Sequence, residues 1–369
     1  MEELAKKPIV KVIWNNKDIS TTVEKYLSSI SYTDHEEGAS DECTLKFDNT
    51  SGIWSEDWYP TEGDTVQVYL GYVDKLIDCG EFEVDEVTLS GVPDEIEIKT
   101  IASGITKALR TRNNKAFEEM TLQQIALFFC NKHKLNLVDN SSLKLSQINL
   151  ERKTQENKTD LAFLSEAAKE YGFLFYVKGN YLVFTDYYTT DNAPSIMEID
   201  KTDIGSYSLT NKTYDTYASA SIVHRNPKKG KLIKSEVTDI LNNDVVDIHV
   251  LSGKAGNIQQ AEMKVKGGLW NKNKFKESGT LNDLPGDPLL VAGVNFDLTG
   301  LGLASGKYHN VTSTHTVSGG SVYTTSLEIR KTGTIPKPKR VPRVAKPKPT
   351  QHEDVLEATG ENDETEENQ

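Results

Sequence analysis

One strand pattern occurs twice along this chain, and a duplicated β unit constrains the fold more than any other feature. Gly63-Asp-Thr-Val66-Gln-Val68 leads into Gly80-Glu-Phe82-Glu-Val84 and then Ile96-Glu-Ile98-Lys99. In the same order, Gly293-Val-Asn-Phe296-Asp-Leu298 leads into Gly306-Lys-Tyr308 and then Leu327-Glu-Ile329-Arg330. In each copy a glycine permits the tight turn, and apolar residues at every second position turn one face of a strand to a core. The pattern predicts two β barrels or sandwiches of similar design. A chain holding two copies of one module can build a ring with half as many subunits as modules, so the duplication speaks to assembly rather than to catalysis.

Other segments fall around these two blocks. Ile9-Val-Lys-Val-Ile-Trp14 alternates, Asn15-Asn16 supplies a turn, and Leu27 to Tyr32 and Cys43 to Phe47 alternate again. Trp54, Trp58, Tyr59 and Pro60 crowd together just before the first repeated strand, as a plug for the end of a barrel or as a subunit contact. From about residue 103 the period lengthens. Thr121 is placed to cap a helix with Leu122, Ile125, Ala126 and Phe129 on one face; a second helix starts near Thr159 and stops at Gly172. Phe173 to Val177 and Tyr181 to Phe184, with Lys178-Gly179-Asn180 between them, read as a hairpin. Residues 206–227 alternate, Pro227-Lys-Lys-Gly230 is a basic turn, and 230–256 are polar enough to predict a long loop or irregular hairpin. Ile258, Ala261, Val265 and Leu269 predict one helix, weakened toward its end by Gly267-Gly268. Residues 331–350 hold seven Lys/Arg and no acid, and 351–369 hold eight Asp/Glu and no Lys/Arg, which predicts a Pro/Lys-rich linker and an acidic disordered tail. The predicted fold class is β-rich α+β, divided as 1–102 (first β domain), 103–186 (small α/β module), 187–330 (second β domain with a loop and helix insertion) and 331–369 (linker and tail).

Composition removes several function classes. A net charge of −13 disfavours a reader of duplex DNA, which needs a basic face, though an acidic wall lets a polyanion slide past. Cys43, Cys79 and Cys130 are too few and too irregular for a zinc knuckle or a disulfide framework, and are expected as buried or half-buried free thiols in a reducing compartment. The charged start and the lack of a long apolar run predict no signal peptide, no membrane segment and synthesis in the cytosol.

Enzyme signatures come close and break. Gly300-Leu-Gly302-Leu-Ala-Ser-Gly306-Lys307-Tyr308 has the wrong glycine spacing for a phosphate loop and puts a tyrosine where magnesium needs Ser/Thr, so a β-turn is expected. Seven histidines are scattered; His309 and His315 have no acidic neighbour at metal spacing and are expected as solvated or cross-strand residues. No nucleophile elbow occurs. The sequence therefore predicts no catalytic, cofactor-binding or metal-ligating residue and no cofactor: the chain reads as a non-enzyme. Two alternatives remain open, a cell-wall hydrolase and a glycan-binding protein that stacks sugars on Trp54, Trp58 and Tyr59.

Three blocks in order resemble the phage late control D family. The first is Asp18-Ile-Ser, Tyr26 to Asp34, Gly38 to Asp48, Trp58-Tyr-Pro and Gly63-Asp64. The second is Leu161-Ala-Phe-Leu164, Ala168, Tyr171-Gly172, Phe175-Tyr-Val177 and Leu182-Val-Phe184; the third runs from Leu284-Pro-Gly286-Asp-Pro-Leu through Ser305-Gly306-Lys-Tyr308 and His315 to Tyr323-Thr-Thr325. The resemblance covers about residues 9 to 331. It implies a central baseplate hub of a contractile phage tail, tailocin or injection system, similar to the first part of type VI spike proteins. Such hubs are homotrimers with two tail-tube-like β-barrel domains per chain. Their pseudo-sixfold ring adapts a hexameric tail tube, or its initiator, to a trimeric spike. Other baseplate proteins, with the tape measure protein a candidate, are further implied partners, and the middle module is expected outside the ring. Production in the bacterial cytoplasm and incorporation into a particle follow from the same resemblance.

Overall fold

The structure, a computed structural model, describes residues 7–332 apart from 38–39, 104–108, 110, 143, 226–231, 240–245, 254 and 256. The linker and acidic tail beyond 332 and the basic turn at 227–230 lie outside the described residues.

The first block of strands is β1 (Ile9–Trp14), β2 (Lys17–Asp18), β3 (Leu27–His35), β4 (Glu42–Asp48), β5 (Thr65–Tyr72), β6 (Lys75–Ser90) and β7 (Glu95–Ala102), with helix α1 (Ser20–Tyr26) before β3. Asn15 and Asn16 both take positive φ (46° and 65°), the backbone that a two-residue hairpin turn demands. Alternation sets the core: Cys43, Leu45 and Phe47 of β4, Val66, Val68 and Leu70 of β5, and Ile96 and Ile98 of β7 all point inward. Each such side chain contributes roughly 1.5–3 kcal/mol over leaving it in water.

Next come β8 (Arg112–Thr121), α2 (Leu122–His133), β9 (Asn136–Asp139), β10 (Asn149–Thr159), α3 (Asp160–Glu170), β11 (Phe173–Lys178), β12 (Tyr181–Asp186) and α4 (Tyr187–Asn192). Thr121 accepts from the Gln124 amide while the Gln124 side chain reaches back to the Thr121 amide, a capping box. Thr159 caps α3 by accepting from Ala162. The expected hairpin is present as β11–β12, with β9 added parallel to β12. The β8–β10 ribbon was not legible in the sequence: of β8 only Phe117 is buried, so no alternation marks it.

The last block holds β13 (Ser195–Asp200), β14 (Ser206–Asn211), β15 (Ser219–Arg225), β16 (Leu232–Thr238), β17 (Ile248–Leu251), α5 (Ile258–Asn273), β18 (Glu277–Pro285), β19 (Asn295–Thr299), β20 (Gly306–Ser318) and β21 (Val322–Lys331). The long loop expected over 230–256 is corrected in part, since β16 and β17 flank β15 in a three-stranded sheet and pack on α5. Gly267 and Gly268 do not end α5, which continues to Asn273. They lie at close crossings: a Cβ on Gly267 would stand 2.4 Å from the Gly172 nitrogen, and one on Gly268 2.6 Å from Leu251.

The two β blocks share one strand order and differ in the direction of the first strand, since β1 runs antiparallel to β5 and β13 parallel to β19. The first runs β1-β5-β6-β7-β4-β3 and the second β13-β19-β20-β21-β18-β14. Gly63 and Gly293 open the matching turns with φ of 92° and 86°. Bulges recur at matching places, between Val84 and Glu86 in β6 and between Asn310 and Thr312 in β20. Strand pairing corrects one detail of the sequence repeat. Ile98 sits opposite Val87 as Leu327 sits opposite Ser313, so Ile98 rather than Ile96 is the partner of Leu327; the slip keeps the same face and escapes a pattern search. The helix at Thr121 is no counterpart of α5, because α5 lies inside the β14–β18 connection and α2 follows β7. Both blocks belong to one open 13-stranded sheet, and among the described residues no strand pairing closes either block on itself.

Candidate assembly interface

The two blocks meet where β20 lies antiparallel to β3, from Thr312 opposite His35 to Ser318 opposite Ser29. One face of this seam is a ladder of hydroxyls, Thr33 to Thr314 at 3.3 Å and Ser31 to Thr316 at 3.4 Å. The other face carries polar side chains that water does not reach. His315 is fully buried, lies over the Tyr32 ring, and meets Ser313 Oγ at 3.0 Å and Tyr323 Oη at 2.8 Å. Burial pushes its imidazole down to about 4, against the pull of Asp34, so it is neutral near pH 7.

His309 is fully buried as well, with Nδ1 2.6 Å from Asn295 Oδ1 and Nε2 2.6 Å from Glu36 Oε1. The Asn295 amide nitrogen donates to the carbonyls of Thr190 and Ala193, which fixes its oxygen toward the ring. Nδ1 of His309 therefore donates to Asn295, and Nε2 faces the Glu36 carboxyl. Of the two expected alternatives, solvated or cross-strand, both histidines take the second, with His309 opposite Asn295 and His315 opposite Tyr32, and His309 also meets an acid. Its acid lies 273 positions away, where no local motif could reveal it.

Asp34 ties three parts of the chain together. Its carboxylate accepts from Lys178 Nζ at the end of β11 and from the Ala292 amide, each at 3.0 Å. Nearby Asp41 is raised to about 6, first by burial and then by the Asp34 charge, with Lys178 opposing. Burial works against the Lys178 ammonium, but Asp34 and Asp41 outweigh it and raise its pKa. Arg330 of β21, 2% exposed, pairs with Asp191 of α4 at 2.7 Å and lies 5.1 Å from the Trp270 ring of α5. That approach is off the hydrogen-bonding line, and Asp191 Oδ1 and Arg330 Nη2 make no hydrogen bond. Lys274 of the turn after α5 pairs with Glu37 beyond β3. These contacts make a rigid connector with a charged, largely dry interior.

The aromatic cluster has a structural place. Trp54 is buried and stacks on Phe47 at 4.2 Å, and Trp58 meets Trp54 and Tyr26 edge-on. Trp54 is consequently absent from any sugar-stacking surface made with Trp58 and Tyr59. The three cysteines are free and buried, and Cys130 is pushed up to about 11 by burial. The glycine-rich stretch at 300–306 is the turn between β19 and β20, and Lys307 Nζ donates to the Asp191 carbonyl. Among the described residues no group of His, Cys, Asp and Glu is arranged to hold a metal ion, and no helix is long and apolar enough to cross a membrane.

No family model matches the chain. Over 178 residues it is 25% identical to the "Probable baseplate hub protein" of Escherichia phage 186, across 48% of this chain and 44% of that protein, so the match spans less than half of the relative. The fold is shared with the 43 kDa tail protein of prophage MuSo2 from Shewanella oneidensis, at a TM-score of 0.65 and 14% identity over 88% of this chain and 98% of that one. It is shared also with an E. coli component of the type VI secretion system, at a TM-score of 0.52 and 11% identity over 86% and 77% of the two chains. At these identities the solved structures establish the fold alone. The likeness to baseplate hub and tail proteins that the sequence blocks implied is thereby found independently in sequence and in shape.

Proposed function

We propose that this chain is a structural, non-enzymatic baseplate hub subunit of a contractile tail or injection particle. Three copies assemble so that their six β blocks make a pseudo-sixfold ring, matching a hexameric tail tube on one side and a trimeric spike on the other. The observation that carries this reading is the repeated strand order, β1-β5-β6-β7-β4-β3 and β13-β19-β20-β21-β18-β14, in one chain. Two similar units fused in one polypeptide let a threefold object present six nearly equivalent faces. Support comes also from the name of the phage 186 relative and from the tail-protein fold.

On this reading 1–102 and 187–330 are the ring-forming, tube-like barrel domains, each closed by its neighbours rather than by itself. Residues 103–186 lie outside the ring, where other baseplate proteins dock, and 331–369 form the linker and tail. The buried network at the seam keeps the two blocks in one fixed relation, as a subunit bearing load between a tube and a spike requires. Native mass spectrometry tests the stoichiometry. We expect roughly 123 kDa, three times the 41.1 kDa chain. A stable monomer at micromolar concentration contradicts the proposal.

A further inference from the structure

We propose that the bare edge of β6 at Glu86–Ser90 in one copy pairs antiparallel with the bare edge of β14, Ser206–Asn211, in a second copy, with Thr88 opposite Thr210. The proposal rests on the hub reading and adds the surface, the strands and the register by which copies join.

The argument begins with the seam already inside the chain. β20 pairs with β19 only as far as His309; beyond its bulge between Asn310 and Thr312 it keeps β21 on one side and takes β3 on the side that β19 has left. β6 is built the same way. It pairs with β5 as far as Glu83, bulges between Val84 and Glu86, and keeps β7 on its other side through Ser90. Yet among the described residues no strand occupies the side that β5 has left along Glu86–Ser90. The seam therefore has a socket that is filled once in the chain and left open once.

The missing partner is identified in the same manner. β3 pairs with β4 through Ile30 opposite Leu45, and β14 pairs with β18 through Tyr207 opposite Leu281, so β14 is the counterpart of β3. The sequences agree: Ser29-Ile-Ser31-Tyr-Thr33-Asp34 against Ser206-Tyr-Ser208-Leu-Thr210-Asn211. β14 ends the sheet, paired with β18 alone among the described residues. One chain thus offers a bare socket and a bare insert that its own seam shows to be complementary. Such a head-to-tail contact, repeated, closes a ring when the rotation between copies is a whole fraction of a turn, which for three copies is a third. It also covers two strand edges that otherwise invite unregulated pairing.

Carrying the seam's register across gives a chemically consistent interface. Thr314 opposite Thr33 becomes Thr88 opposite Thr210, and Thr316 opposite Ser31 becomes Ser90 opposite Ser208, so the hydroxyl ladder recurs. Thr312 opposite His35 becomes Glu86 opposite Lys212, an opposite-charge cross-strand pair. His315 opposite Tyr32 becomes Leu89, now 48% exposed, opposite Leu209. At these four positions polar falls on polar and apolar on apolar, although the register was taken from a different pair of strands; between them Val87 falls opposite Asn211, where the seam has Ser313 opposite Asp34.

Paired cysteines in the full-length protein test the proposal. Thr88 and Thr210 are exposed, and the native cysteines are buried. Under mild oxidation the Thr88→Cys/Thr210→Cys variant is expected to give covalent dimers and trimers on non-reducing gels. Either single variant is expected to give none, and the shifted pair Glu86→Cys/Thr210→Cys far less. A particle of trimer mass that does not cross-link through Thr88 and Thr210, or that cross-links better through the shifted pair, overturns this interface and leaves the hub reading standing. A parent protein that is monomeric overturns both.

Discussion

Asp191→Ala is expected to cost about 3–5 kcal/mol of stability, the loss typical when one partner of a buried ion pair is removed. The size follows from what stays behind. Arg330 is 2% exposed and wedged against Trp270, so losing Asp191 strands a buried guanidinium without its ion-pair partner. Asp191 is the carboxylate recorded beside it, and its other oxygen accepts from Trp270 Nε1 at 3.2 Å. The pair itself is not a large source of stability, because desolvating both ions offsets most of their attraction. Asp191→Leu combined with Arg330→Met is therefore expected to recover most of the loss, short by about 1 kcal/mol for the Trp270 N–H left without an acceptor. Urea unfolding of the parent, the single and the double variant checks this. A double variant no better than Asp191→Ala would mean that shape, rather than stranded charge, governs this corner.

The second large effect concerns pH. His315 holds a proton only below about 4 in the folded protein, against 6.5 ordinarily, so over that window the unfolded chain takes up a proton that the folded one refuses. Stability contributed by neutral His315 is whole above about pH 6.5 and is lost as pH falls toward 4. Asp41 has the opposite sign. Its folded pKa of about 6 lies above the ordinary 3.8, so the folded state binds the extra proton, and stability rises as pH falls through the same window. At 1.36 kcal/mol per unit each is worth ~3 kcal/mol, and in the parent they nearly cancel. Measured as a difference from the parent, Asp41→Asn is expected to lose ~3 kcal/mol between about pH 6.5 and pH 4, and His315→Gln to gain a similar amount. Two variants that follow the parent in parallel would contradict the assignment of these groups. Physically, two buried groups with opposed responses to mild acid share the seam.

The sequence made legible what repeats with a short period. Val66, Val68, Phe296 and Leu298 stood out because alternation and a leading glycine are local signals, and they occupy matching strands. Thr121 was readable as a cap, and Thr159 as the start of a helix, for the same reason. The β3–β14 correspondence was missed, since β14 alternates but buries no side chain fully and shares with β3 mainly a polar Ser-x-Ser-x-Thr spacing. β17 is four residues long, too short for any periodicity to show. The connector was unreadable in principle: Glu36 with His309, Asp34 with Ala292, and Asp191 with Arg330 become neighbours only once the sheet is assembled. Pattern arguments find strands, whereas the chemistry between distant strands waits on their register.

The most direct test of the account is the end-on view of purified particles by electron microscopy with averaged classes. Three copies bearing twin β blocks should give a closed annulus with six lobes of nearly equal density around an open bore. Three lobes, an unclosed arc or a solitary compact particle would contradict the claim that the duplicated halves play equivalent parts.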